Sequence, residues 1–262
     1  MFDFDAVRRF SVRLADREGS GMGSFWDEHI VGFFRRKFSG ELEPSAIRKA
    51  LEQEMTRRRR NTKNGCLVPN AYEVALCEED YQRLSSARLM EDLTVFLEKA
   101  VIRTDSFMEG ALSIRFREVA GEGKGLLEVV SRYEDAKPAA AAATESNTLV
   151  LSHSEFTRPL NLPPVRLLAS LRVVRGIDAK VHLEIGERKV YLGRREQNDL
   201  MLTDLNVSRL HASIDYERHR HVIRDADSLN GLFINGERKK EAYLLPGDEI
   251  GLGSTLLRYE VL

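Results

Sequence analysis

After Arg166 the chain changes texture in a way that leaves few folds open to it. Short apolar-alternating segments recur every 8–12 residues or so, each closed by a turn signal. Val181, Leu183 and Ile185 alternate, and His211, Ser213 and Asp215 alternate against Ala212 and Ile214. Val222-Ile223, Leu232-Phe233-Ile234, Ile250 and Leu256-Leu257-Arg258-Tyr259 supply further strands. Ile185-Gly186, Asn230-Gly231, Asn235-Gly236 and Pro246-Gly247-Asp248 punctuate them. Strands of that length and spacing predict a β-sandwich over 166–262.

The rest of the 262 residues has a different character. Pro44 suits a first helical position, and Ile47, Ala50, Leu51 and Met55 then share one face, with Arg48, Lys49, Glu52 and Glu54 mostly outside. Tyr72, Val74 and Leu76 alternate as a half-buried strand, and Leu89, Leu93, Phe96, Leu97 and Ala100 mark a second helix. Strands around Ala111–Val119 and Leu126–Tyr133, joined by the turn Gly121–Gly125, read as a hairpin. The sum is a small α+β domain over 22–134. Phe25, Trp26, Ile30, Phe33, Phe34 and Phe38 would form a broad aromatic helix face, read first as core. Residues 1–21 form either a leader or a short amphipathic helix through Phe2, Phe4, Val7, Phe10 and Leu14. Lys137-Pro138, five alanines and then Thr144-Glu145-Ser146-Asn147-Thr148 mark a composition break, with Pro159, Pro163 and Pro164 beyond it. So short an alanine run is marginal as a helix in water, so 135–165 reads as a flexible linker. The fold class expected is therefore multidomain: α+β, linker, all-β sandwich.

Composition narrows the function. A net charge of -1 gives no overall attraction to nucleic acid or anionic lipid, which leaves only local patches. Arg57-Arg58-Arg59-Arg60, with Lys63 nearby, is the one conspicuous run; it reads as a solvated helix end or as a contact for RNA, anionic lipid or an acidic partner. Cys66 and Cys77 lack metal-site spacing and read as reduced, half-buried thiols. No metal or cofactor is expected. The sequence has no apolar run of about 18 residues and no signal-peptide pattern at its start, which predicts a cytoplasmic protein.

Functional residues concentrate in the sandwich. Gly193-Arg194, then Ser208-Arg209-Leu210-His211, then Asn230-Gly231 place a guanidinium, a hydroxyl and an amide at the ends of successive strands. A phosphate ester offers nearly two negative charges and three acceptor oxygens. A guanidinium can take two of those oxygens side by side, as lysine cannot. No nucleophile or arranged acid–base pair accompanies the series, so it suits holding a phosphate and no catalytic residue is assigned.

This ordered series resembles the forkhead-associated (FHA) domain, a phosphothreonine-reading module, over roughly the last third of the chain. The resemblance implies that Arg194, Ser208 and Arg209 contact phosphate and that Asn230 bonds the main chain of the bound peptide. It makes Gly193, His211 and Gly231 supports, with His211 fixing the loop backbone, and Leu205 and Asn206 candidates for reading the third residue after the phosphothreonine. One departure matters: the usual Ser-Thr-Asn-Gly-Thr turn reads Ser228-Leu229-Asn230-Gly231-Leu232, and Leu229 has no hydroxyl to offer. The segments Phe33–Phe38, Pro44 and Leu67–Val74 resemble the amino-terminal domain of bacterial two-domain FHA proteins, in actinobacteria associated with serine/threonine-kinase signalling to envelope synthesis and division.

The resulting expectation is a non-enzymatic adaptor whose partners are threonine-phosphorylated proteins or a serine/threonine kinase, with a second partner at the amino-terminal domain. The alternative is a nucleic-acid-binding regulator acting through the basic run, with phosphate-independent protein binding by the sandwich. Thr144, Thr148 and Thr157 precede the sandwich and are candidate phosphorylation sites; once phosphorylated, one could occupy the chain's own site at high effective concentration.

Overall fold

The computed structural model describes residues 33–38, 41–120, 123–134 and 166–262. The leader, Phe25, Trp26 and Ile30 of the aromatic cluster, the linker 135–165 and Thr144, Thr148 and Thr157 lie outside those residues. The first domain runs β1 (Phe33–Lys37), α1 (Pro44–Arg57), β2 (Arg60–Thr62), β3 (Gly65–Leu67), β4 (Ala71–Cys77), α2 (Glu78–Leu84), α3 (Ala87–Arg103), β5 (Ser106–Phe107), β6 (Ser113–Val119) and β7 (Leu126–Arg132).

Pro44 stands at the start of α1, and α3 begins at Ser86, whose hydroxyl accepts from the Leu89 N–H at 3.2 Å. Such a cap satisfies one of the orphan amides of a first turn. Ile47, Leu51 and Met55 of α1 and Leu93 and Leu97 of α3 pack with Val74 and Leu76 of β4 and Leu127 and Val129 of β7.

Three expectations are corrected here. β6 and β7 do not pair as a hairpin: the sheet order is β1-β7-β4-β6, with β4 inserted between them, parallel to β6 and antiparallel to β7. The reason is that β4 is apolar on both faces, since Ala75 and Cys77 join Val119 and Leu126 in a second buried cluster. The Phe33–Lys37 part of the aromatic segment is an edge strand paired with β7 instead of a helix. Glu54 is buried, because Arg57 donates to its carboxylate at 2.8 and 2.6 Å and the Ser131 hydroxyl at 2.8 Å. Cys77 is buried and Cys66 half-buried, both free.

The arginine run crosses the end of α1 into β2. Arg57 pairs with Glu54, Arg59 donates to Cys66 Sγ at 2.7 Å, and the Arg60 guanidinium lies 4.1 Å from the Tyr133 ring centre.

The second domain is the expected sandwich. It comprises β8 (Leu167–Arg175), β9 (His182–Gly186), β10 (Val190–Gly193), β11 (Leu200–Met201), β12 (Ala212–Glu217), β13 (Arg220–Asp225), β14 (Leu232–Ile234), β15 (Glu237–Lys239), β16 (Glu241–Tyr243), β17 (Glu249–Leu252) and β18 (Thr255–Val261). One sheet has the order β11-β10-β12-β13-β16 and the other β15-β14-β17-β18-β8-β9. Leu171, Leu192, Ile214, Ile223, Ile250 and Leu257 fill the space between them. Asn235 and Gly236, at φ 51° and 84°, form the two-residue turn joining β14 to β15, the left-handed geometry that Asn-Gly favours.

Helix α3 serves both domains. Ile102 is buried in the sandwich core, and Val95 packs against that core. Arg166 pairs with Glu91 at 2.6 Å, and Arg103 donates to the Leu262 carbonyl at 2.7 Å. The described parts of the two domains are therefore in contact. Among the described residues, no helix is long and apolar enough to cross a membrane.

Candidate functional site

The site lies where the end of β10 meets the loop entering β12. The Arg194 N–H donates to the Ser208 carbonyl at 3.0 Å and the Arg195 N–H to the Arg209 carbonyl at 3.2 Å. Two backbone segments thus lie side by side, with their arginine side chains exposed. Gly193 permits this approach: a Cβ there would fall 2.6 Å from the Arg209 carbonyl oxygen and 2.9 Å from that of Ser208. Close approach, more than freedom to turn, is what the glycine provides.

The loop is braced from behind. His211 is fully buried; its Nδ1 accepts from the Ser208 N–H at 3.1 Å, and its Nε2 lies 3.1 Å from the Gly231 carbonyl. That pair of partners fits a neutral ring with its proton on Nε2. Burial pushes the imidazole below its ordinary value, outweighing the Gly231 carbonyl and the charges of Asp225 and Asp204. His211 is a support with both nitrogens engaged.

The second loop closes against the first. The Leu229 N–H donates to Ser208 Oγ at 3.0 Å, and Asn230 Nδ2 donates to the Asn206 carbonyl at 2.7 Å. Because Ser208 Oγ already accepts, its own proton is available to an outside acceptor. Ser228 Oγ donates to Asp225 at 2.5 Å and accepts from the Gly231 N–H at 3.0 Å.

Arg194, Arg195, Ser208 and Arg209 line one open groove of about 550 Å³, with Leu205 and Leu229 also on its lining. Asp227 adds the single carboxylate on that lining. Among the described residues, none of the three arginines is engaged by a carboxylate. The expected residues Arg194, Ser208 and Arg209 are thus brought together. Asn230 is exposed, commits one amide proton to the Asn206 carbonyl, and is not part of the lining. Leu205 is 81% exposed, whereas the Asn206 side chain is turned to Ser254 at 2.8 Å.

Two contributors escaped sequence reasoning. Asn198 Nδ2 donates to the carbonyls of Arg195 and Arg209, at 2.9 and 2.8 Å, and so ties the two arginine-bearing segments together. Asp204 accepts from the N–H groups of Asn206 and Ser254 and from the Thr255 hydroxyl. Burial pushes its carboxyl up, but those donors outweigh burial and hold it below the usual range. The dipeptide spacing Asp204-Leu205-Asn206 was the available signal, since an aspartate commonly caps the amide two residues on.

Known proteins match both halves. Residues 22–130 match the family model for the FhaA N-terminal domain, and residues 190–253 match that for the FHA domain. Over 92 residues the chain is 36% identical to the glycogen accumulation regulator GarA of Mycobacterium tuberculosis, covering 35% of this chain and 56% of that protein. Over 85 residues it is 35% identical to the oxoglutarate dehydrogenase inhibitor of Corynebacterium jeikeium, covering 32% and 59%. The chain thus spans a little over half the length of these curated relatives. One similar solved structure is the FhaA FHA domain complexed with the intracellular domain of Rv3910, at 25% identity and a TM-score of 0.33, covering 35% of this chain and 99% of that one. Another is Mycobacterium tuberculosis EmbR in complex with a low affinity phosphopeptide, at 28% identity and a TM-score of 0.34, covering 37% and 25%.

Proposed function

We propose that this chain, in which an FhaA-type amino-terminal domain precedes an FHA domain, is a non-enzymatic cytoplasmic adaptor that docks threonine-phosphorylated proteins. The single observation that carries this reading is the groove: three guanidinium groups that no carboxylate engages among the described residues line it together with a hydroxyl that accepts a hydrogen bond from Leu229 and donates none. A doubly charged ester with three acceptor oxygens complements that set. Arg194 and Arg209 supply charge and paired donors, Ser208 supplies a neutral donor, and His211 and Asn198 hold the loops.

Binding follows from preorganisation. The backbone bonds at Arg194 and Arg195 and the brace at His211 fix the donors before a ligand arrives, so little ordering is left to offset the contacts. The exposed Leu205 and Leu229 give the peptide apolar surface beside the phosphate.

The partner class is a serine/threonine kinase or its substrates, with signalling towards envelope synthesis or division as the wider setting and a second partner at the first domain. The alternative of nucleic-acid binding through Arg57–Arg60 gains no support from the side chains, because Arg57, Arg59 and Arg60 each have an intradomain contact. Titrating the full chain with matched phosphothreonine and unphosphorylated peptides tests the reading. Arg194→Ala should weaken phosphopeptide binding by about 10- to 100-fold, as expected for lost charge-assisted hydrogen bonds. Equal affinity for the two peptides, or indifference to Arg194→Ala, would end it.

A further inference from the structure

We infer that the two domains are docked as one body through a histidine clasp, with His219 of the sandwich held between Glu98 and Gly110 of the first domain, and that the clasp opens when His219 gives up a proton. His219 occupies the turn between β12 and β13. Its Nδ1 lies 3.0 Å from Glu98 Oε2 and its Nε2 lies 2.8 Å from the Gly110 carbonyl oxygen. Glu98 projects from α3, is only 2% exposed, and also accepts from the Tyr216 hydroxyl of β12.

The proton count decides the matter. A carbonyl oxygen can only accept, and a carboxylate can only accept. Both ring nitrogens of His219 therefore face acceptors, and both contacts are satisfied only if the His219–Glu98 pair holds one proton more than a neutral ring beside a carboxylate. The two buried histidines of the domain, His221 and His211, differ. His221 Nδ1 meets the Tyr259 hydroxyl at 2.8 Å and its Nε2 meets the Gly186 carbonyl at 3.0 Å, so a neutral ring serves. His211 likewise meets one N–H and one carbonyl. Of these three, His219 alone needs the extra proton and His219 alone spans the two domains.

The surroundings agree with this. Burial alone would lower the imidazole, but the Glu98 hydrogen bond and charge, the Gly110 carbonyl and the Glu187 charge outweigh it and raise it above the ordinary value. The flanking cations are directed elsewhere: Arg218 and Arg220 lie 5.6 and 5.5 Å from the Phe107 ring centre, and Arg220 pairs with Asp105 at 3.2 Å. A raised value means that docking is strongest below the ordinary histidine range near pH 6.5 and is lost as pH rises through the docked value. Above it, one ring nitrogen presents a lone pair to an oxygen, and the contact parts.

β12 fixes where this happens relative to the groove. The site loop enters its first residue and the clasp leaves its last, so its six residues put the two about 20 Å apart. The junction can open without dismantling the groove.

Amide exchange on the full chain between about pH 5.5 and 8.5, corrected for intrinsic rates, tests the clasp. The opening constant for α3 and the β12–β13 turn should rise by up to about tenfold per pH unit within the titration window. His219→Gln should flatten that slope, since a carboxamide does not titrate, and Glu98→Gln should reduce it, since the carboxylate that favours the charged ring is gone. A slope that survives His219→Gln, or its absence in the unmodified chain, overturns the inference. Direct ring titration of His219 by NMR in the unmodified chain provides a check independent of any variant. A midpoint above the ordinary value is expected, and one at or below it also overturns the inference.

Discussion

At the scale of single residues, the groove is built by giving each polar atom one job. Ser208 accepts through Oγ from Leu229, accepts through its carbonyl from Arg194, and donates its N–H to His211, which leaves only its hydroxyl proton for a ligand. Arg194, Ser208 and Arg209 could be singled out from the sequence, as a planar cation, a donor and a second cation at strand ends in an order resembling FHA domains, and the fold brings them to one groove. Asn198 was not, since its work is on carbonyls brought near only by the fold. Leu229 gives the first prediction. It is 87% exposed, and its one hydrogen bond to the site is made by its backbone N–H, so Leu229→Thr preserves that bond and adds a hydroxyl at the rim. One added hydrogen bond of about 0.5–1.5 kcal/mol should tighten phosphothreonine-peptide binding roughly 2- to 10-fold, read by calorimetric titration. Unchanged or loosened binding would show that a hydroxyl at this position gains no bond to the phosphate. His211 gives the second. Its folded value is depressed, so its support is complete above the ordinary value near pH 6.5 and is lost as pH falls below that towards the folded value. A protonated Nδ1 would set N–H against the Ser208 N–H. Because a phosphate itself protonates near pH 6, the measurement belongs on the ligand-free protein. Ser208 amide protection should fall as pH drops from about 6.5, the opposite sense to the clasp.

At the scale of elements, the sandwich followed from turn chemistry, and Asn235-Gly236 occupies the hairpin its sequence requires. The first domain was read less well. Adjacent strands β6 and β7 suggested a hairpin, yet β4 separates them. The signal was present in the near-continuous apolar run Ala71-Tyr72-Glu73-Val74-Ala75-Leu76-Cys77, since a strand buried on both faces belongs in the middle of a sheet. Gly193 shows an element constraint of another kind, in which the end of β10 must lie against backbone. In Gly193→Ala the new methyl would meet the carbonyl oxygens of Arg209 and Ser208, which flexible side-chain motion cannot relieve. The expected cost is about 1–3 kcal/mol of stability, together with weaker phosphopeptide binding, as the N–H bonds from Arg194 and Arg195 are forced apart. Thermal unfolding and peptide titration on the same variant check both effects. A variant that binds and melts as the parent does would show that the two segments are not held so closely.

At the scale of the whole molecule, a proline- and alanine-marked linker suggested two beads on a tether, while the described residues show two cores sharing a helix. The stripe responsible is readable after the fact: Glu91, Val95, Glu98 and Ile102 recur at helical spacing on α3, opposite the Leu93 and Leu97 face. Its two glutamates disguised it as a solvent face, because their partners Arg166, Tyr216 and His219 lie far along the chain. Ile102 is the apolar centre of that contact, buried among sandwich residues such as Leu168 and Tyr259 although its helix belongs to the first domain. Unfolding either domain therefore exposes a surface of the other, and near pH 6, where the clasp is protonated, the full chain should melt in one calorimetric transition. Truncating a buried isoleucine costs about 2–5 kcal/mol. Placed at the junction, Ile102→Ala removes apolar contact from both partners while leaving every residue of the groove lining in place. The variant should resolve two transitions with phosphopeptide affinity within about twofold of the parent, a change below 0.5 kcal/mol. Two transitions already present in the parent at pH 6, or an Ile102→Ala variant that still melts as one unit, would return the molecule to two independent domains.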